Sequence, residues 1–171
     1  MNIVAQDLIG NGNFEDGNFG WNFTSGGSSV VGEEEVIIRN KYCKIYQTEA
    51  IYQPVPLSSG KTYTLSFNTR SSLGGTLSVM KQNTNDTYWS IKIYPAPGTE
   101  WQSETHPFRV ETNWEGPLVI HFRAAPGSPD RFLEIDNVSL LEGTNPRSIA
   151  AAPPATTTTT TITTTVTITT T

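Results

Sequence analysis

The sequence is poor in cysteine: Cys43 stands alone among 171 residues, so no disulfide can form within the chain. It also lacks a basic excess, with 11 Lys and Arg against 16 Asp and Glu and a net charge of −5. Sequence-independent nucleic-acid binding depends on cations set against phosphate, and a polybasic membrane patch needs the same supply, so neither partner is expected. No apolar run approaches the roughly 18 residues of a membrane-spanning helix. The opening Met1-Asn2-Ile3 begins no basic-then-apolar leader, which suits a module whose parent carries the secretion signal elsewhere. Catalytic signatures are missing too: no HExxH, GxSxG, phosphate-binding loop or dinucleotide glycine pattern occurs, and the two histidines, His106 and His121, lie far apart. Nor does a helical period of 3.6 survive over any stretch.

What is present is a series of short alternating segments. Thr62 to Ser71 sets Tyr63, Leu65 and Phe67 against Thr64, Ser66 and Asn68, as a half-buried strand does. Similar patterns cover Asn18–Thr24 (Phe19, Trp21 and Phe23 on one face), Val36–Gln47, Ile51–Leu57, Thr76–Gln82, Tyr88–Tyr94, Thr105–Thr112 and Leu118–Arg123. Pro54 and Pro56 place Ile51–Leu57 at an edge or a bulge, because proline donates no ladder hydrogen bond. Turn signals separate the segments at short intervals, which predicts an all-β antiparallel sandwich or barrel. Charged residues make up only 16% of the chain, and Asn, Ser, Thr and Gly stand in their place. That composition predicts a secreted or cell-surface protein.

The last strand, Leu133 to Leu141, breaks its own rule. Apolar residues alternate at Leu133 and Ile135, slip by one, and resume at Val138 and Leu140. One extra residue at Asp136-Asn137 predicts a β-bulge. A bulge can turn a main-chain carbonyl and a carboxylate the same way, and both are hard oxygen ligands suited to Ca²⁺. The opening stretch Leu8–Gly17 offers Asn13 and Glu15 beside a glycine turn. The two stretches are expected to lie side by side and share a structural calcium ion, with Asn13, Glu15 and Asp136 among its ligands.

The same two stretches, "NGNFEDGNFGW" and "LEIDNVSLLE", together resemble the carbohydrate-binding modules of families 4, 9, 16 and 22. "IYQPVPLSSGKTYTLSFNTRSS" and "EWQSETHPFRVET" resemble their central strand pair and an edge strand. The resemblance spans residues 7 to 142. It implies a β-sandwich of jelly-roll order, no catalytic activity of its own, and a tethered glycoside hydrolase. It also implies a fourth calcium ligand, a carbonyl at Asn40, where relatives often carry glycine. Some relatives bridge the position of Cys43 to the closing strand; the matching position here is taken as Glu134, which leaves Cys43 a small buried side chain.

A sugar-binding sandwich needs rings for the C–H faces of pyranoses and polar groups for their hydroxyls. The faces opposite the apolar ones supply Tyr46, Gln82, Tyr88, Lys92 and His121; Trp114 and Trp89 are candidates at the rim. The expected ligand is a plant cell-wall β-glycan such as cellulose, xylan or mannan, bound by a monomer. Two other classes remain open. One is an adhesion or lectin-type module for a host glycan or protein. The other is a small hydrolase or lyase using Glu134 and Asp136, two apart on one strand, as paired carboxylates.

From Gly143 onward the character changes. Pro146, Pro153 and Pro154 precede a run dominated by threonine up to Thr171. Such a segment has too little apolar surface to offset its ordering entropy, so residues 1–143 are expected to form the module and 144–171 a disordered Thr/Pro-rich linker or tail.

Overall fold

A computed structural model of the chain describes residues 6–24, 30–33, 41–72, 74–94, 100–128 and 131–143. The expected linker, Asn40 and the first part of the segment predicted over Val36–Gln47, residues 36–40, lie outside them. Ten strands form: β1 Asn22–Phe23, β2 Val30–Glu33, β3 Lys41–Tyr46, β4 Ala50–Val55, β5 Thr62–Ser71, β6 Gly75–Lys81, β7 Thr87–Ile93, β8 Gln102–Arg109, β9 Leu118–Ala124 and β10 Phe132–Glu142. They make two five-stranded antiparallel sheets, ordered β1-β4-β9-β6-β7 and β2-β3-β10-β5-β8. Apart from the β2–β3 and β6–β7 hairpins, each connection from β3 onward crosses from one sheet to the other, which is jelly-roll order.

Alternation decides what each sheet buries. The first sheet turns Ile51, Leu77, Val79, Ile120 and Phe122 inward; the second turns Ile45, Leu65, Phe67, Leu133, Ile135 and Leu140 to meet them. Cys43 is buried at 1% exposure, and burial pushes its thiol pKa up to about 12, so it packs as an inert apolar group. Its cross-strand partner is Ile135, not Glu134, which faces outward one residue earlier. A chain of rings ties the opening stretch to both layers. Phe14 lies 5.2 Å from Trp21, Trp21 lies 6.3 Å from Phe122, and Phe122 meets Phe67 edge-on at 5.2 Å. Such pairs add about 1 kcal/mol each beyond the area they bury.

The strand expected over Asn18–Thr24 shrinks to Asn22–Phe23. Phe19 sits in a turn and is exposed, while Trp21 is buried and donates its indole N–H to the carbonyl of Asn11 at 3.1 Å. Alternation there reflected one anchored ring, not a continuous strand. The prolines behave as their chemistry requires. β4 is covered on one side by β9, but β1 pairs only with Ile51 and Tyr52, so Pro54 lies beyond the end of β1. Gln53, between them, is buried and pairs with Gly10 as a strand would, accepting from its N–H at 2.8 Å and donating to its carbonyl at 2.9 Å.

The opening and closing stretches do lie side by side. β3 accompanies β10 as far as Ile135; beyond it the opening stretch takes over. Leu8 N–H donates to Leu140 O, Val138 N–H donates to Gly12 O, and the Asp7 carboxylate accepts from both Ile9 and Leu140 N–H. The expected bulge is there too: Asp136 pairs with Asn68 and Ser139 with Ser66, so two residues of β10, Asn137 and Val138, stand against one of β5, Phe67. Asn137 takes the extra position at φ 50°, a left-handed conformation that asparagine tolerates well.

Candidate functional site

A cavity of about 490 Å³ lies on the outer face of the first sheet. Alternation aims Ala50 and Tyr52 of β4, Val119, His121 and Arg123 of β9, and Ser78 and Met80 of β6 out of the sandwich. Register then lines them up across the sheet: Tyr52 opposite His121 opposite Ser78, and Ala50 opposite Arg123 opposite Thr76. The Tyr52 and His121 rings stack, with centroids 6.5 Å apart and planes 27° from parallel. One end is closed by Thr24, whose hydroxyl accepts from Ala50 N–H at 3.1 Å. The other is closed by the hairpin Gln82–Asn85, with Lys81 at its root. That hairpin is pinned by Gln82 N–H donating to Pro117 O and by Asn83 at φ 64°.

His121 is half-buried, and burial first, then the neighbouring Arg123 charge, lower its pKa below the usual histidine value. It is therefore neutral at pH 7, able to donate from one ring nitrogen and accept at the other. With the amides of Gln82, Asn83 and Asn85 and the hydroxyls of Thr48 and Thr84, the groove offers one stacked aromatic pair ringed by polar groups of both kinds. That suits a ligand with apolar faces and hydroxyl edges.

Of the ligand candidates read from sequence, the structure gathers Gln82 and His121 in this groove and places Lys92 one strand beyond it, exposed, opposite Thr76. The others go elsewhere. Tyr46 sits on the outer face of the second sheet, opposite Phe132. Tyr88 was expected on the outer face with Ser90 and Lys92. A register shift between Val79 and Met80 makes it the extra residue of a bulge, and it stacks on Trp114 at 5.2 Å with its hydroxyl on the Glu115 backbone. Trp114 and Trp89 both pack on Phe108, at 6.3 and 5.0 Å, so these three rings close one end of the core. Tyr52, which sequence reasoning passed over, carries the stacking surface instead. Its signal was available: it alternates with Ile51 and falls between Ala50 and Pro54, both outward.

The carboxylates tell a separate story. Glu134 is buried and held by Lys44 Nζ at 3.1 Å and Arg70 Nε at 2.5 Å. Both its oxygens are thus committed to side chains of its own sheet. Asp136, also buried, accepts at one oxygen from Asn137 N–H (2.7 Å) and at the other from the Asn137 side chain (3.0 Å). Glu15 accepts from Lys41 N–H at 3.0 Å, which sets it at the start of β3, near the bulge. Asn13 is exposed, its side chain turned 3.5 Å from Glu15 N. Among the described residues no three His, Cys, Asp or Glu side chains gather as a metal cluster. A cation at this bulge would therefore draw on carbonyl and amide oxygens beside Asp136 and Glu15, an oxygen-only set that fits Ca²⁺ rather than a transition metal.

Similar solved structures share the architecture. A family 16 carbohydrate-binding module is 21% identical, with 79% of this chain and 99% of that one covered and a TM-score of 0.63. A module solved in complex with β-1,4-galactotriose is 19% identical, with 81% and 100% covered and a TM-score of 0.58. A Stig cyclase, Fisc, from Fischerella sp. TAU is 13% identical, with 82% and 98% covered and a TM-score of 0.65. At such identities the likeness establishes the fold, and the cyclase among them means the fold by itself does not choose between binder and enzyme. No curated protein matches the chain. A sequence family does: CBM_4_9, described as carbohydrate binding domain, matches residues 6–126, and the chain belongs to that family.

Proposed function

We propose that this chain is a non-catalytic module that binds a β-linked plant cell-wall glycan, of the cellulose, xylan or mannan type, in the groove of the first sheet. It would act outside the cell, holding an attached glycoside hydrolase against its substrate. The observation that carries this is the stacked Tyr52–His121 pair facing a rim of amides and hydroxyls. A pyranose lays its C–H face on the ring and exchanges hydrogen bonds at its edge. The related module solved with β-1,4-galactotriose supports a β-1,4-linked ligand. The benefit is proximity: tethering raises the glycan concentration seen by the partner domain. An open groove buries few ligand atoms, so affinity for one site is modest.

Tyr52→Ala removes the stacking surface at a half-buried position. It is expected to weaken binding about tenfold, a loss of about 1.4 kcal/mol, in affinity electrophoresis against soluble xylan, glucomannan and hydroxyethylcellulose. Equal retardation of the variant and the parent would place the site elsewhere, and retardation by no glycan would end the proposal.

A structural calcium ion at the bulge belongs to the same proposal, with Asp136 and Glu15 as its side-chain ligands and Asn13 and Asn40 completing the set through oxygens. Bound, it would neutralise the buried Asp136 carboxylate and clamp the opening stretch to β10. A ligand that binds only the folded state at a thousand times its Kd adds about 4 kcal/mol of stability. Exhaustive chelation is thus expected to lower Tm by several degrees, with recovery on adding Ca²⁺; an unmoved Tm removes the ion from the proposal.

A further inference from the structure

The groove is charged on one side only. Among its described lining residues the only charged ones are Lys81 and Arg123, both cations; Arg123 faces outward from β9, while Lys81 shares the inward register of Leu118 and lays its stem beside Gly116. Lys92 extends the row, since Thr76 pairs with Arg123 on one flank and with Lys92 on the other. Among the described residues neither Lys92 nor Arg123 meets a carboxylate in an ion pair. This happens in a chain with 16 acidic residues against 11 basic ones. The acidic residues nearest in sequence are turned away or stand outside: Glu49, beside Thr48, accepts from Tyr46 N–H within its own turn, and Asp86 lies beyond the hairpin residues that line the cavity. The lowered pKa of His121, to which the Arg123 charge contributes, registers the same positive potential inside the groove.

We infer that the groove selects a β-glycan bearing carboxylates, a uronic-acid-substituted polymer in place of a neutral one. The inference rests on the proposed sugar-binding function and adds the charge of the ligand to it. Arg123 is exposed and offers a planar fork that matches a carboxylate with two N–H donors; Lys92, exposed on the same face two strands away, adds a point charge. A neutral sugar would use the Tyr52 and His121 rings and the amides and leave both cations without a partner.

The test compares glucuronoxylan with the same polymer after carboxyl reduction, which keeps the β-1,4 backbone and removes the charge. Native glucuronoxylan is expected to bind about tenfold more tightly than its reduced form at low salt, with the preference shrinking as salt is raised. In the double variant Arg123→Gln, Lys92→Gln the ratio of the two affinities is expected to fall to about one. Cellulose sulfate run in parallel tells a carboxylate from a sulfate ester. A preference for the sulfate over glucuronoxylan would overturn the uronate assignment. Equal binding of native and reduced polymer would overturn the charge preference while leaving the sugar-binding function standing. Polyglutamate competing as well as glucuronoxylan would also overturn it, because charge without a pyranose would then suffice. Binding of none of these polymers would overturn both.

Discussion

Glu134→Ala is expected to lower stability by about 3 kcal/mol, measured by urea unfolding. The carboxylate lies at 2% exposure between Lys44 and Arg70, one on each neighbouring strand, because register sets Glu134 opposite both. Each cation is further committed to rings: Lys44 Nζ lies 3.7 Å from the Phe132 centroid, and Arg70 Cζ lies 4.7 Å from Trp101 and 5.4 Å from Tyr42. Removing the acid leaves two like charges facing each other across β10 with side chains only 23% and 19% exposed. They can reach water only by leaving their rings. An apolar replacement of all three, Glu134→Leu with Lys44→Met and Arg70→Met, is expected to recover most of the loss, because the two half-buried cations leave together with the acid. A loss under 1 kcal/mol in the single variant would mean that the triad behaves as an ordinary surface pair.

Gly12→Ala is expected to cost about 3 kcal/mol by the same measurement, from overpacking at the seam between the opening stretch and β10. A Cβ at Gly12 would overlap the carbonyl of Val138, and Val138 N–H is the donor to Gly12 O, so neither backbone can withdraw without breaking the other's bond. Gly17 provides the contrast. A Cβ there meets nothing within 4 Å, but its φ is +67°, so Gly17→Ala is expected to cost only about 1 kcal/mol of backbone strain. Equal losses at the two positions would mean that conformation, not contact, governs the seam.

The strands and the bulge were legible because both are written in a period of two. β5 falls at Thr62–Ser71 as its alternation predicts, and the slip at Asp136-Asn137 is the extra residue opposite β5. The ligand face was legible only in part. Alternation separates inward from outward, but it does not say to which of two sheets an outward residue belongs. Tyr46 and His121 carry the same signal, yet they face opposite sides of the molecule. Tyr88 was misplaced for a different reason: its bulge lies at Val79/Met80 in a segment of mixed polar and aromatic residues, where a slip leaves no apolar mark. Trp114 had no strand around it to fix its direction, and only packing on Phe108 and Tyr88 decides it.

The hydrogen bond from Leu8 to Leu140 has an architectural corollary. The polypeptide enters and departs this sandwich through adjacent rungs of one ladder. A host protein could therefore accept the unit within a surface loop as readily as at an extremity, and a circularly permuted version joined across that point should still fold.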